Sequence, residues 1–382
     1  MQVIKKDREY GLAVRGLALN IPVESSGVMR GFARIVQQGL GAMSRLTRLV
    51  LTLSWFDEPI LPQLLLGMIL SSLSFPWLEE FRFFGDLDQA VEEFLSRHAS
   101  TVKILELDGE VVPGFTSSTT GPPFVALCKA SATPASISFL TRCGLPALKE
   151  FELLRFEDLS NTENALLALA KEVSMVLEGL QVYVLGLGES VLAIVSQHFP
   201  RLKSLAIACS TDFFTTERWS DTASFSNFSF IDVDQVVDHC SQLSELVSLD
   251  WSNGYCDCWD RGWDDLLQIV RYSPKLNHLA LPDSGVWDRV HQAFWIPTYL
   301  NPGDPKRLGY RWLLDSIVKQ QYPYLPAFLA LVEAKLVEYG NDIESDVKDP
   351  GSVISLLKQQ GIPVSRTTVI QLLQLGRDVK LY

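Results

Sequence analysis

Apolar positions along the chain recur in a short unit: apolar, two residues, apolar, one residue, apolar. The unit reads Val14/Leu17/Leu19, Leu46/Leu49/Leu51, Leu78/Phe81/Phe83 and Val102/Leu105/Leu107. It continues as Leu148/Phe151/Leu153, Leu180/Tyr183/Leu185, Leu202/Leu205/Ile207, Leu246/Leu249/Trp251 and Leu276/Leu279/Leu281. Its last three residues alternate apolar, variable, apolar, which is the period of a half-buried strand. Four copies place proline two residues ahead of the first apolar position: Pro76, Pro146, Pro200 and Pro274. Proline fixes φ and lacks an N–H, so it suits a turn that delivers the chain to a strand. Between the units lie helical spacings, among them Ile60/Leu64/Leu65/Met68, Val91/Phe94/Leu95, Leu166/Leu169/Val173, Val191/Leu192/Val195 and Val236/Val237/Cys240. Successive units start about 22 to 46 residues apart, within the range of stacked solenoid repeats. The expectation is an α/β chain whose strands form a parallel sheet.

From about Trp295 the pattern changes. Tyr299-Leu300-Asn301-Pro302-Gly303-Asp304-Pro305 reads as a loop. Helices are expected over 311–321, 326–339, 353–360 and 367–375, punctuated by Pro323, Gly340, Pro350-Gly351 and Gly361-Pro363. The division expected is therefore 1–295, an irregular repeat array, and 296–382, a helical C-terminal cap or a small helical partner-binding module.

These units resemble leucine-rich repeats. The parallels FPWLEEFRF, LPALKEFEL, FPRLKSLAI and SPKLNHLAL, with their irregular spacing, are similar to the degenerate repeats of F-box proteins, especially the fungal set. The resemblance covers roughly residues 10 to 285. It implies a curved solenoid with a concave strand face. It also implies a non-enzymatic role in protein recognition, like the substrate-binding part of an F-box protein. The second reading is a substrate receptor of a cullin-type ubiquitin ligase, with an adaptor as partner, although no adaptor-binding module is recognisable ahead of the first repeat. Regular repeats carry asparagine three residues after the last apolar position; here Pro22, Ser54, Asp86, Glu110, Phe156, Gly188, Ser210, Gly254 and Ser284 stand there.

Charge and composition narrow the partners. The net charge is −12, and an acidic surface repels phosphate and anionic lipid. A protein partner, rather than nucleic acid or membrane, is expected, and a monomer. The N-terminal MQVIKKDREYG lacks the apolar run of a secretory signal. The six cysteines are too sparse for a disulfide framework, so a reducing cytoplasmic or nuclear setting is expected. Metalloprotease, hydrolase and phosphate-loop motifs are absent from the sequence, and neither an enzyme nor a cofactor is expected. Cys256-Asp257-Cys258 with His239 and Cys240 is the best metal candidate, but C-x-C without a second pair reads as reduced loop cysteines.

On the strand face, the variable residues beside the apolar ones are Gly16/Ala18, Arg48/Val50, Glu80/Arg82, Ile104/Glu106 and Glu150/Glu152. They continue as Val182/Val184, Ser204/Ala206, Ser248/Asp250 and His278/Ala280. The partner-binding candidates are Arg48, Arg82, Glu106, Glu152, Asp250 and His278. Trp259 and Trp263 join them from the loop DWSNGYCDCWDRGWD, whose aromatics either form a hot spot or pack inward.

Overall fold

A computed structural model describes residues 8–22, 26–54, 61–112, 121–185, 188–210, 233–252, 266, 268–281, 285–291 and 294–298. The chain divides into two units, Met1–Leu246 and Val247–Tyr382.

The first unit alternates helix and strand. Its order is α1 (Arg8–Ala13), β1 (Gly16–Pro22), α2 (Ser26–Gly41), β2 (Arg48–Ser54), α3 (Leu61–Leu70), β3 (Glu80–Phe84), α4 (Gln89–His98) and β4 (Ile104–Asp108). It continues with β5 (Lys129–Ala132), α5 (Pro134–Cys143), β6 (Glu150–Glu157), α6 (Leu159–Val173), β7 (Gly179–Leu185), α7 (Glu189–His198), β8 (Ser204–Ser210) and α8 (Val233–Gln242). Strands β1 to β8 pair in chain order, all parallel. The fold class expected from the hydrophobic period is thus observed, as strand–helix repeats on a parallel sheet.

Register carries the core from repeat to repeat. Leu49, Phe81, Leu105, Ala130, Phe151, Leu180 and Leu205 stand side by side across β2 to β8, and each is at most 3% exposed. Their alternates point to the opposite face and stay largely half-buried, as in the alternation of β3, β4 and β7. Helices cover the buried row: α4 contributes Val91, Phe94, Leu95 and His98, and α6 contributes Ala165, Leu166, Leu169 and Val173. Asp88 and Asp158 cap these two helices, accepting from the N–H of Val91 at 3.0 Å and of Asn161 at 2.8 Å.

The prolines do what their chemistry suggests. Leu78, Leu148, Leu202 and Leu276 donate their N–H to the carbonyl three residues back, on Phe75, Leu145, Phe199 and Ser273, at 3.0–3.3 Å. Proline occupies the second position of each turn, where a fixed φ is pre-set. The residues that follow tie the repeats together. Thr47 and Arg48 both donate to Arg15 O at 2.8 and 3.0 Å, and Glu79 and Glu80 both donate to Thr47 O at 2.8 and 3.0 Å. The same pair of bonds recurs down to Lys203 and Ser204 on Glu178 O, at 2.7 and 3.0 Å. With no asparagine ladder in the sequence, this ladder of backbone carbonyls satisfies the turns as strands begin.

In the second unit, β9 (Ser248–Ser252) and β10 (His278–Leu281) are parallel. Two strands outside the repeat pattern follow, β11 (Gly285–His291) and β12 (Phe294–Thr298), both antiparallel. Trp251 and Trp287 are buried here. The helices expected beyond residue 298 lie outside the described residues. Among the described residues no helix is long and apolar enough to cross a membrane.

Two repeat assignments need correction. β5 was not legible: Leu127, Ala130 and Ala132 hold its buried positions, and alanine is too small to mark a core strand by itself. In β7 the buried triplet is Leu177/Leu180/Val182 rather than Leu180/Tyr183/Leu185. Val182 and Val184 therefore face the core, and Gln181 and Tyr183 take the open face. The segment LQVYVL is apolar at both parities, so only pairing with β6 and β8 selects the register.

Candidate functional site

The open face of the first sheet carries a continuous polar row. Register aligns Val50, Arg82, Glu106, Ser131, Glu152, Gln181 and Ala206 across β2 to β8. Arg48, Glu80 and Ile104 form the row beside it. Parallel strands lie about 4.8 Å apart, so opposite charges on neighbours meet directly. Glu80 accepts from Arg48 at 3.1 Å and from Arg82 at 2.7 Å, and Arg82 reaches Glu106 at 3.0 Å. Farther along, Ser131 Oγ donates to Glu152 at 3.1 Å, and Tyr183 Oη donates to the other carboxylate oxygen at 3.0 Å. Gln181 bonds Tyr183 in turn. Of the sequence candidates, Arg48, Arg82, Glu106 and Glu152 are thus brought into one surface. Ser131, Gln181 and Tyr183 join them, unforeseen because they depend on β5 and on the β7 register.

Electrostatics set the character of this face. Burial raises the Glu106 carboxyl; the Arg82 charge offsets part of that, and Glu152 and Asp108 push it up further. Arg82 is held above its ordinary value, first by its hydrogen bond to Glu80. Tyr183 is raised by burial and then by its bond to Glu152.

At one rim a second arginine crosses two strands. Arg155 lies at φ +68°, the left-handed region that favours glycine. It sits where β6 slips against β7, between Leu153 and Glu157. The slip turns Arg155 past the end of the four-residue β5, and its guanidinium meets Asp108 on β4 at 2.6 Å and Glu110 at 3.5 Å.

At the other rim an open groove of about 460 Å³ runs over the starts of β5 to β8. Its cations are paired: Lys129 with Glu150 at 3.0 Å, Lys149 with Glu178 at 3.6 Å and Lys203 with Glu178 at 2.7 Å. Glu178 is held below its ordinary value, chiefly by the Lys203 hydrogen bond. A groove whose charges are already matched reads as a mixed-charge surface, not as an anion site.

The remaining candidates belong to the second unit. His278 and Asp250 lie half-buried on the paired strands β10 and β9, diagonal to one another, with His278 opposite Ser248 and Ala280 opposite Asp250. Asp250 Oδ1 has no hydrogen-bond partner among the described residues. Trp259, Trp263 and the Cys256/Cys258 pair lie outside the described residues. Among the described residues no group of three His, Cys, Asp or Glu is placed to hold a metal ion.

One Ser–His contact invites a catalytic reading and does not sustain it. Ser196 Oγ lies 3.0 Å from His239 Nδ1, across α7 and α8. The same hydroxyl donates to Ala193 O at 3.0 Å, so it accepts from the imidazole instead of giving it a proton. The pair ties two helices together. His98, at the end of α4, is buried, and both its ring nitrogens are engaged. Its Nε2 accepts from Phe75 N–H at 2.9 Å, and its Nδ1 donates to Phe94 O at 2.7 Å.

No protein-family model matches the sequence, and no curated protein does.

Proposed function

We propose that the chain is a non-enzymatic protein-recognition scaffold, built as a leucine-rich-repeat-like solenoid and working in the cytoplasm or nucleus. Its partner lies across the open face of the first sheet. The observation that carries this reading is the polar row Arg82–Glu106–Ser131–Glu152–Gln181, presented by five consecutive parallel strands and half-exposed except at the buried Ser131. Such a row offers many directional contacts to a polypeptide and no convergent site for one small substrate. The resemblance of the repeats to those of F-box proteins supports the same reading.

The test is recovery of partners from the protein's own cells with the tagged chain. Beside it runs the open-face variant Arg82→Ala/Glu106→Ala/Glu152→Ala and a helix-side control, Lys171→Ala/Glu172→Ala. A specific partner kept by the control and lost by the open-face variant is the expected outcome. Equal recovery with both variants rejects the open face. A cullin-type ligase and its adaptor among the face-dependent proteins would move the chain to the ligase-receptor reading.

A further inference from the structure

The groove over the starts of β5 to β8 is charged differently at its two ends. At the strand starts two ammonium groups face one carboxylate: Lys203 lies 2.7 Å from Glu178, and Lys149 lies 3.6 Å from it, longer than a hydrogen bond. Both lysine side chains are more than half exposed. Glu178 is held below its ordinary value first by the Lys203 hydrogen bond, and the Lys149 charge adds to it. This end carries excess positive charge. Register places Glu152 beside Gln181, three residues beyond Glu178 on β7, which is about 10 Å along the strand. Glu152 accepts from two neutral hydroxyls, Ser131 at 3.1 Å and Tyr183 at 3.0 Å. Its charge is felt across β5, where it helps to push the Glu106 carboxyl up. This end carries excess negative charge.

The floor between the ends is small and uncharged. Gly179 stands opposite Ser204, and Gln181 stands opposite Ala206. A glycine there lets a second backbone come close. Residues i and i+2 of an extended chain share one side, about 6.6 Å apart, and two long side chains span the remaining distance. Opposite charges at those two positions match both ends of the groove at once, and the residue between them turns away from the floor. A ligand of one sign matches one end only and meets its own sign at the other.

We propose that this groove takes an extended segment of the partner that carries an acidic and a basic residue two positions apart. The acid lies on Lys149 and Lys203, and the base lies on Glu152. The inference rests on the open-face reading and adds to it the chemistry of the partner.

Three acetylated and amidated peptides probe the full chain: Gly-Glu-Ala-Arg-Gly, its isomer Gly-Ala-Glu-Arg-Gly, whose adjacent charges face opposite sides, and the single-sign Gly-Glu-Ala-Glu-Gly. The amide signals of Gly179 and Ser204 report binding. The first peptide is expected to shift both saturably, and each control to bind about tenfold more weakly. A Cβ on residue 179 would lie 3.4 Å from Glu150 Cγ, an ordinary contact, so Gly179→Val fills the floor with a strand-compatible side chain. It is expected to keep its circular dichroism and to lose the shift at Ser204. Lys149→Ala/Lys203→Ala leaves the floor untouched and is expected to weaken the first peptide by about tenfold. No saturable shift with the first peptide, or equal binding of all three, overturns the proposal. Gly179→Val also joins the partner-recovery experiment. A partner lost by the Arg82/Glu106/Glu152 variant and kept by Gly179→Val overturns the groove while the open-face reading stands. A partner kept by both overturns that reading and the groove with it.

Discussion

His98 shows how one buried side chain couples to pH. It lies 4.3 Å from the Phe94 ring and 6.0 Å from Phe75, and Phe75 N–H already fills its Nε2. Burial therefore holds its pKa below the ordinary value. The unfolded chain takes up a proton near pH 6.5, while the folded chain resists until lower pH. Stability from this group is then complete above pH 6.5 and is lost as pH falls toward the folded value. His98→Leu strands the Phe75 N–H and is expected to cost about 1–3 kcal/mol at pH 7.5. Denaturant unfolding at pH 7.5 and 5.5 checks this: the gap between parent and variant should narrow at the lower pH. Arg155 is the second telling residue. Arg155→Ala loses the bonds to Asp108 and Glu110 and keeps the left-handed backbone, whereas Arg155→Gly loses the bonds and relieves the backbone. The glycine variant is expected to be the more stable of the two by about 1 kcal/mol, read from thermal unfolding.

Successive repeats of the first unit are joined by backbone hydrogen bonds at their turns, and close approach accompanies them. A Cβ on Gly109 would lie 2.0 Å from Gly85 O of the preceding repeat. That approach sits where Gly85 N–H bonds Asp108 O at 3.0 Å and Leu87 N–H bonds Glu110 O at 2.7 Å. Gly109→Ala must push the two turns apart, at an expected cost of about 1–3 kcal/mol. Urea midpoints measure it, and a parent-like midpoint would show that the turns separate freely. The elements also mark where the sequence stops being readable. β2, β3, β4, β6 and β8 announce themselves through large apolar residues at the right parity. β5 does not, because Ala130 and Ala132 fill a position that Phe124 and Leu127 help to close from the flanking turn. The same small strand lets Arg155 of β6 reach β4, so a gap in the sequence signal becomes a feature of the surface.

At the scale of the molecule, the buried row should behave as one structure within the first unit. Leu105 and Leu205 are 1% and 0% exposed on β4 and β8. Leu105→Ala and Leu205→Ala are each expected to cost about 2–5 kcal/mol, followed by denaturant unfolding; unchanged midpoints in both would reject the register. Hydrophobic spacing along the chain was enough to place most strands, their parity and the turns before them. Alternation in a strand and the fixed φ of proline are local properties, carried by neighbours in sequence. That parity alone put Arg48, Arg82, Glu106 and Glu152 on one side of a sheet. Whether β7 turned Tyr183 or Val184 outward, whether Ser131 would stand between two glutamates, and whether His98 would be a cation or a neutral acceptor were decided by tertiary contacts. In each case both local choices are acceptable to the chain by itself. The selecting groups come from turns, strands and helices 21 to 31 residues away, as in Phe75 N–H with His98, Ser131 with Glu152 and Tyr183 with Glu152.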